Sequence, residues 1–287
     1  MESLAPDHID HRWVLDKGEV ALISVFGDDK LIADTARVSY RKGTKQVSSD
    51  KQLVRYLIHN KHHSPLEHAS IRWYVKMPLF SVQQLLRHRT FKFNQSSARY
   101  SEMLEEAYVP LPEHITTQDA KNRQARTNQI VDEAYDIASN IEIHNKNAFD
   151  MYNTLLKDGV AREISRIILP HGTYSELIVT TDLRNFLHFL SLRMHPHAQW
   201  EIRAYAEAMY EMAKPLFPAV FEAWDDTELK SFKLTGLMQE ALAMAIHMST
   251  CYDDWKQCAS DAADKFHWES KSERDQFISW CNTLQIK

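Results

Sequence analysis

The amino-acid sequence predicts an α+β fold, in which helices pack on a mixed or antiparallel sheet and a C-terminal helical extension follows. Three short runs have the composition or the alternation of strands, at residues 19–25, 69–76 and 173–180. The stretches between and after these runs carry apolar residues at helical spacing. Strands and helices do not alternate strictly, which argues against a parallel sheet built from βαβ units.

The strand predictions depend on two patterns. Residues 19–25 are predominantly apolar, which is typical of a buried strand. In the run over 69–76, successive side chains alternate in character, so they are expected to point to opposite faces of the sheet. Ile71, Trp73 and Val75 are expected on one face, and Arg72, Tyr74 and Lys76 on the other.

Two serines are predicted to start helices in the first third of the chain. Ser49 is a predicted N-cap of a helix that continues through Asn60 and has one apolar face. That face consists of Leu53, Val54, Leu57 and Ile58. The run from Ser64 to Glu67 matches a capping box with proline at the first helical position.

Later helices are predicted from apolar spacing and from the residues that begin or end them. Pro78 opens a short helix to about His88, and a polar stretch follows from Thr90 to Ser101. The remaining predicted helices cover about 118–157 before Gly159, 161–169 before Pro170, 183–193 after a capping Asp182, and 198–214.

The character of the sequence changes after Pro218, which predicts one domain over 1–224 and a separate helical extension over 225–287. Three short helices are expected in the extension, around 228–249, 253–266 and 271–283. Its large apolar residues are unusual for a solvated linker: Trp255, Phe266, Trp268 and Trp280. We therefore expect the extension to fold onto the domain as an accessory helical cap.

Composition excludes several classes of protein. The net charge of −5 provides no basic field for nucleic acid, and no apolar run reaches the roughly 18 residues of a membrane helix. The N-terminal residues have no apolar core of a signal peptide. The three cysteines, Cys251, Cys258 and Cys281, form neither a disulfide framework nor a metal pattern, as expected in the cytoplasm. The 6 glycines form no GxGxxG motif, so any dinucleotide is bound without a Rossmann turn.

The most unusual segment, residues 87–101, combines three arginines with a dense row of hydroxyl and amide side chains. Guanidinium groups bind phosphate bidentately, and hydroxyl groups complete such an anion site. A solvated basic loop at a helix end is the first alternative. An RNA-contacting strip is the second, because Phe91, Phe93 and Tyr100 are interleaved with basic residues.

Four motifs in order carry a resemblance to a known family. Arg87-His88-Arg89 is followed by seven residues and Ser97, and the segment 62–68 reads HHSPLEH. Two further segments, 162–170 and 192–202, read REISRIILP and LRMHPHAQWEI. Together they resemble the flavin-dependent thymidylate synthases over about residues 11–224.

The resemblance implies an enzyme that methylates dUMP to dTMP. NADPH would reduce bound FAD, and methylenetetrahydrofolate would donate the carbon and leave as tetrahydrofolate, with no protein cysteine as nucleophile. It also implies the fold of that family and a homotetramer whose sites combine residues of more than one subunit. Neither nucleic acid, a membrane nor a metal is expected as a partner. The rival hypothesis is a non-catalytic nucleotide- or RNA-binding regulator on the same fold.

The resemblance assigns residues to the flavin and to the substrate. For FAD these are His62, Ser64, Glu67, Arg87, His88, Arg89, Thr90, Gln95, Asp182, Arg184 and His188. For dUMP they are Gln84, Arg87, Gln95, Ser97, Ala98, Arg99, Arg166 and Arg193. Asp182 and His188 stand where relatives often carry asparagine, and an aspartate repels a pyrophosphate unless it is protonated or paired.

Two residues are the predicted catalytic ones, Arg193 and Ser97. Arg193 would stabilise negative charge that develops on the pyrimidine, whereas Ser97 would be a donor in the pocket. Simpler readings exist beside these. Ser64 and Glu67 could only cap a helix, an arginine at a helix end could only complement the dipole, and either Arg162 or Arg166 could form a structural salt bridge.

Overall fold

The computed structural model describes residues 5–39, 49–120, 125–249, 255–266, 268 and 271–284. The chain divides into two compact units, Met1–Asp225 and Asp226–Lys287. That the first unit is the catalytic domain and the second an accessory extension stays a prediction. Cys251 lies outside the described residues.

An antiparallel sheet of five strands forms the centre of the first unit. The strands are β1 (Asp10–Val14), β2 (Gly18–Phe26), β3 (Ser70–Pro78), β4 (Lys92–Gln95) and β7 (Tyr174–Asp182), and they lie in the order β1-β2-β3-β7-β4. A separate hairpin consists of β5 (Thr116–Gln118) and β6 (Arg126–Ile130). The three predicted strands are β2, β3 and β7, the three interior strands of the sheet, so the predicted α+β class with an antiparallel sheet is confirmed.

Helices surround this sheet. They are α1 (Asp29–Arg37), α2 (Asp50–His59), α3 (Leu79–Leu85), α4 (Ala134–Lys157), α5 (Arg162–Ser165), α6 (Leu183–Arg193), α7 (Trp200–Ala213) and α8 (Pro218–Trp224). Among the described residues, 3-10 turns cover Ser64–His68, Pro112–His114, Arg166–Ile168 and Lys214–Leu216. The predicted N-cap at Ser49 is confirmed at the start of α2, where it forms a capping box. The Ser49 hydroxyl accepts from the Gln52 backbone N–H, and the Gln52 side chain accepts from the Ser49 backbone N–H.

The core of the first unit joins the sheet to α2, α6, α7 and α8. Trp73 on β3 packs against Phe186 on α6, with 5.6 Å between ring centres, and both are fully buried. On the other face of β3, Tyr74 and Lys76 are also buried, since Lys76 pairs with Glu106 and Tyr74 donates to Glu176. The neighbouring strand β7 pairs with this buried strand along its whole length and leads directly into α6.

Several predicted boundaries were wrong. The helix expected over 118–157 begins only at Ala134, because the preceding β-branched residues form the β5–β6 hairpin, in which Thr117 and Thr127 are hydrogen-bonded at 2.6 Å. The capping box at Ser64 is not formed: the 3-10 turn has His63 at its N-cap and no capping bond from a side chain. The helices predicted over 78–88 and 161–169 are shorter than expected, and β4 lies in the polar stretch from Thr90 to Ser101, where no strand was predicted.

The second unit consists of helices around its own apolar core. They are α9 (Gly236–Ser249), α10 (Trp255–Asp264) and α11 (Lys271–Thr283), preceded by a π-helical turn at Asp225–Leu229. The first helix was expected from residue 228 but begins at Gly236, where the Thr235 hydroxyl accepts from the Met238 backbone. Buried Phe277 and Cys281 contribute to this core. No helix in the described part of the chain is long and apolar enough to cross a membrane.

Candidate active site

The ends of α3 and α6 bring the predicted catalytic arginine against the RHR motif. Arg193, the last residue of α6, donates through Nε to His88 Nε2 at 3.0 Å and through Nη2 to the Gln84 carbonyl oxygen at 3.1 Å. Gln84 belongs to α3, and His88 lies in the turn that follows this helix. The two segments are 105 residues apart in sequence for the His88 contact, so only the tertiary fold creates this pair.

His88 accepts this bond as a neutral ring. Its side chain is buried against Phe189 and Phe91, with ring centres 5.0 and 5.6 Å away. Burial, together with the nearby positive charge of Arg193 and the neighbouring His188, lowers the pKa of His88 to about 4. Burial also lowers the pKa of Arg193, which still remains charged at neutral pH. The guanidinium is therefore held by two neutral acceptors, and its remaining N–H groups can serve a ligand.

The side chain of Gln84 continues into a chain of hydrogen bonds that the sequence did not predict. Its Nε2 donates to Gln199 Oε1 at 2.6 Å, and Gln199 Nε2 donates to Glu201 Oε2 at 2.8 Å. Glu201 is only 4% exposed, and its Oε1 lies 3.3 Å from Arg126 Nη1 and 3.4 Å from the Tyr108 hydroxyl. Gln199 and Glu201 both belong to the segment HAQWEI, part of the motif at 192–202. A glutamate in the first turn of an apolar helix was the available signal, because a buried carboxylate requires partners.

A cavity of about 460 Å³ lies beside this chain of hydrogen bonds, between the β5–β6 hairpin and the start of α7. Gln199, Glu201 and Arg126 form part of its wall. Trp200 is stacked on His114, with 3.8 Å between ring centres, and Arg126 lies over the Trp200 ring. The hairpin thus holds the start of α7 in place.

A second cavity, of about 360 Å³, gathers four of the predicted substrate residues: Gln95, Ser97, Ala98 and Arg166. Gln95 ends β4 and donates through Nε2 to Ser175 Oγ at 2.8 Å, which fixes its side chain against β7. Ser97 lines the same cavity, but none of the nine lining residues is a histidine, a carboxylate or a lysine. No general base therefore adjoins the Ser97 hydroxyl there, and the serine is suited to hydrogen bonding rather than to nucleophilic attack.

The arginines near this cavity differ in their partners. Arg166 lines it, is exposed and makes no ion pair with any residue in the described ranges. Arg162, one helical turn earlier, lies 3.6 Å from Glu102, and Arg99 lies 3.2 Å from Glu163. The structural salt bridge considered for either Arg162 or Arg166 thus belongs to Arg162.

The residues predicted to bind FAD fall into two groups. His62 and Ser64 line a third cavity of about 220 Å³, whereas Arg184 on α6 pairs with Glu67 at 2.9 Å. The second group, in the turn after α3, exposes Arg87, Arg89 and Thr90 to solvent. Neither guanidinium of this turn contacts a carboxylate among the residues that the structure describes.

Asp182 has a structural task in this chain. It is the N-cap of α6, and its two carboxylate oxygens accept from the backbone and the side chain of Asn185, at 2.9 and 2.7 Å. The predicted capping is therefore confirmed, while contact with FAD stays a prediction. His188 is exposed on α6, with its ring centre 6.4 Å from that of His88.

One chain does not place all these residues around a single cavity. Neither Arg193 nor Gln84 is among the residues that line the cavity of Ser97 and Arg166, and His62 lines yet another. Over the described ranges, no group of three or more histidine, cysteine or acidic side chains is arranged to hold a metal ion.

Comparison with known proteins places these features in a family. Residues 21–219 match the family model described as "Thymidylate synthase complementing protein". The flavin-dependent thymidylate synthase of Gluconobacter oxydans is 40% identical over 78% of this chain and 76% of its own length. That of Thermus thermophilus is 41% identical over 80% of this chain and 83% of its own length.

A solved structure is similar as well. It is a UMP/dUMP methylase, PolB, from Streptomyces cacaoi, bound with 5-Br UMP. It has a TM-score of 0.68 and 35% identity, over 75% of this chain and 96% of that one. The structure of the same methylase bound with 5-Br dUMP gives the same TM-score at 33% identity.

Proposed function

This chain belongs to the flavin-dependent thymidylate synthase family, and from that premise we propose that it methylates C5 of dUMP to give dTMP. The proposed reaction balances in carbon atoms, hydrogen and electrons. Methylenetetrahydrofolate donates the one-carbon unit, NADPH and a proton supply the two electrons and the hydrogen that complete the methyl group, and tetrahydrofolate and NADP⁺ leave.

The observation that carries the proposal is the 360 Å³ cavity, in which three separate parts of the chain meet. A nucleoside monophosphate needs donors and acceptors for its base and ribose, and at least one cation for its phosphate. Gln95 and Ser97 supply the polar groups, and Arg166, without a carboxylate partner in the described part of the chain, supplies the cation. Arg99 would join Arg166 at the phosphate after exchanging its contact with Glu163.

The flavin would be held by the residues that the resemblance assigns. The guanidinium groups of Arg87 and Arg89, which contact no carboxylate among the described residues, fit an anionic pyrophosphate, and His62 and Ser64 line a cavity of about 220 Å³. When bound and reduced, the flavin supplies the hydride for the methyl group. Asp182 fits this role least, since both of its oxygens already accept hydrogen bonds from Asn185.

Arg193 is the proposed catalytic residue. Negative charge develops on the carbonyl oxygens of the uracil when C5 becomes nucleophilic, and a fixed guanidinium lowers the energy of that state. His88 and the Gln84 carbonyl hold Arg193 in place before the substrate binds, so it does not reorganise during the reaction. Ser97 is proposed to donate a hydrogen bond to the substrate.

We also propose a homotetramer, as the resemblance implies, and the arrangement supports sites that are shared between subunits. The predicted residues of one chain line separate cavities, so residues of a second subunit would complete each site. No protein cysteine is proposed as a nucleophile, because Cys258 and Cys281 are buried in the second unit.

The proposal is tested by spectrum, product and a matched pair of variants. The purified protein should carry the visible absorption of a bound flavin and form dTMP only when dUMP, methylenetetrahydrofolate and NADPH are all present, with tetrahydrofolate as the folate product. Arg166→Gln should raise the KM for dUMP on the order of 10-fold, through loss of a charge-assisted hydrogen bond. Arg162→Gln, one turn away, should leave it unchanged. A colourless protein that binds dUMP without forming dTMP would instead be the non-catalytic nucleotide-binding regulator.

A further inference from the structure

The hydrogen bonds from Glu201 to Gln84 have a fixed direction. A carboxylate only accepts hydrogen bonds, so the Gln199 group that faces Glu201 must be its amide nitrogen. The Gln199 carbonyl oxygen then faces Gln84, and the group of Gln84 that faces it must be a nitrogen as well. The side-chain carbonyl oxygen of Gln84 is consequently turned away from Gln199 and is available as an acceptor.

These hydrogen bonds form a relay of three side chains, Glu201, Gln199 and Gln84. Its first member, Glu201, is held by several contacts. Glu201 is buried, Arg126 supplies its countercharge, and the Tyr108 hydroxyl is a further donor. At the other end, Arg193 binds the backbone carbonyl of Gln84. The orientation of Gln84 is therefore set by groups that are in place without a ligand.

We propose that Glu201 is a positioning residue that acts through Gln199 and Gln84 to select uracil over cytosine. The inference depends on the proposed function, in which Gln84 contacts the pyrimidine. Uracil carries a hydrogen on N3 and needs an acceptor opposite it, whereas N3 of cytosine is itself an acceptor. A Gln84 amide that is held with its oxygen toward the base accepts from uracil N3–H and opposes cytosine N3.

The relay can be broken and rebuilt without removing a side chain. Glu201→Gln keeps the shape but can donate as well as accept, so both orientations of Gln199 and Gln84 become available. Adding Gln199→Glu moves the carboxylate one step along the relay. The carboxylate introduced at position 199 accepts from both neighbours and turns the Gln84 nitrogen back toward it. Gln199→Met breaks the relay at an exposed position; the buried acid loses the Gln199 donor but keeps its contacts with Arg126 and Tyr108.

Equilibrium binding of dUMP and dCMP to the purified flavin-loaded protein measures the effect. Glu201→Gln and Gln199→Met should each weaken dUMP binding by about tenfold, the equivalent of one hydrogen bond, without weakening dCMP binding. The double variant Gln199→Glu/Glu201→Gln should restore the preference for dUMP. Tyr108→Phe is the matched control, because it removes a donor to Glu201 but does not change the direction of the relay; it should bind like the wild type.

Two results would overturn the inference. One is wild-type selectivity in Gln199→Met, a variant that keeps the buried Glu201 and its contacts with Arg126 and Tyr108. The other is a double variant that folds and binds flavin but discriminates no better than Glu201→Gln, since the acid would then act only as a structural residue. Failure of the proposed function is a separate result, in which the wild-type protein itself forms no dTMP.

Discussion

Replacing Arg193 by lysine tests the central chemical role in the proposed site. Lysine keeps the positive charge but loses the planar group that now donates to His88 and Gln84 at 3.0 and 3.1 Å. A single ammonium does not reproduce both contacts and also face a ligand in a fixed direction. Loss of one preorganised charged donor typically costs about 3 kcal/mol of transition-state stabilisation, so we expect kcat to fall on the order of 100-fold.

The assay is steady-state dTMP formation, with flavin content and thermal unfolding measured on the same preparation. Arg37→Lys is the matched control, because Arg37 is the last residue of α1 just as Arg193 is the last residue of α6. Both substitutions keep a cation at a helix C-terminus, so a role restricted to the helix dipole would leave both variants equally active. Turnover near the wild-type value in a folded, flavin-loaded Arg193→Lys protein would remove this residue from the catalytic mechanism.

Three other expectations follow from groups described above. Because the pKa of His88 is lowered to about 4, the unfolded chain binds a proton below pH 6.5 that the folded chain does not, and stability falls as the pH decreases. Urea unfolding should show about 2 kcal/mol less stability from this residue at pH 5 than at pH 7.5, and His88→Gln should lose that difference. Replacing Cys251, Cys258 and Cys281 together by alanine should leave dTMP formation within about threefold of wild type, because burial raises the pKa of Cys281 to about 11 and keeps its thiol protonated. Loss of turnover in a folded protein would indicate a thiolate nucleophile. A chain ending at Asp225 should retain flavin but be less soluble or assemble differently, and loss of flavin from it would extend the site into the second unit.

The truncation point in the last experiment comes from the structure rather than from the sequence. Asp225 is buried, and its carboxylate accepts from the Tyr210 hydroxyl at 2.8 Å and from Lys214 at 2.9 Å. A chain ending at residue 224, the predicted boundary, would lose this carboxylate, so Tyr210 and Lys214 would lose their shared acceptor. We therefore expect it to unfold at a lower temperature than the chain ending at Asp225.

The interior of the fold was predictable because its strands and helices have strong local patterns. β2, β3 and β7 are apolar or alternating, and α2 has both a capping box and an apolar face. The edge strand β4 was missed, since its short polar run is a strand only through pairing with β7. Short strands of this kind depend on tertiary contacts that a local pattern does not contain.

The candidate site was predictable to a similar extent. Motifs identified Arg193 and His88, but their mutual hydrogen bond joins residues that are 105 positions apart. Gln199 and Glu201 entered only as part of a matched segment: the position of Glu201 in the first turn of an apolar helix was a signal, but its burial and its hydrogen bonds follow from tertiary contacts. Conversely, the predicted capping box at Ser64 matched the local sequence pattern and did not form, since the segment folds as a 3-10 turn whose N-cap is His63.

The neutral acceptors of Arg193 have a consequence for how the protein could be engineered. On the same helix, by contrast, a carboxylate balances an arginine, since Glu67 pairs with Arg184 at 2.9 Å. At His88 the fold instead keeps a partly buried guanidinium with its full positive field, an arrangement less favourable for folding than an ion pair with two hydrogen bonds. A search for thermostable variants would therefore favour an acidic residue at position 88, and such variants would lose turnover as they gain stability. Stability and activity are in direct opposition at this contact, so His88 should be held fixed in any stabilisation programme.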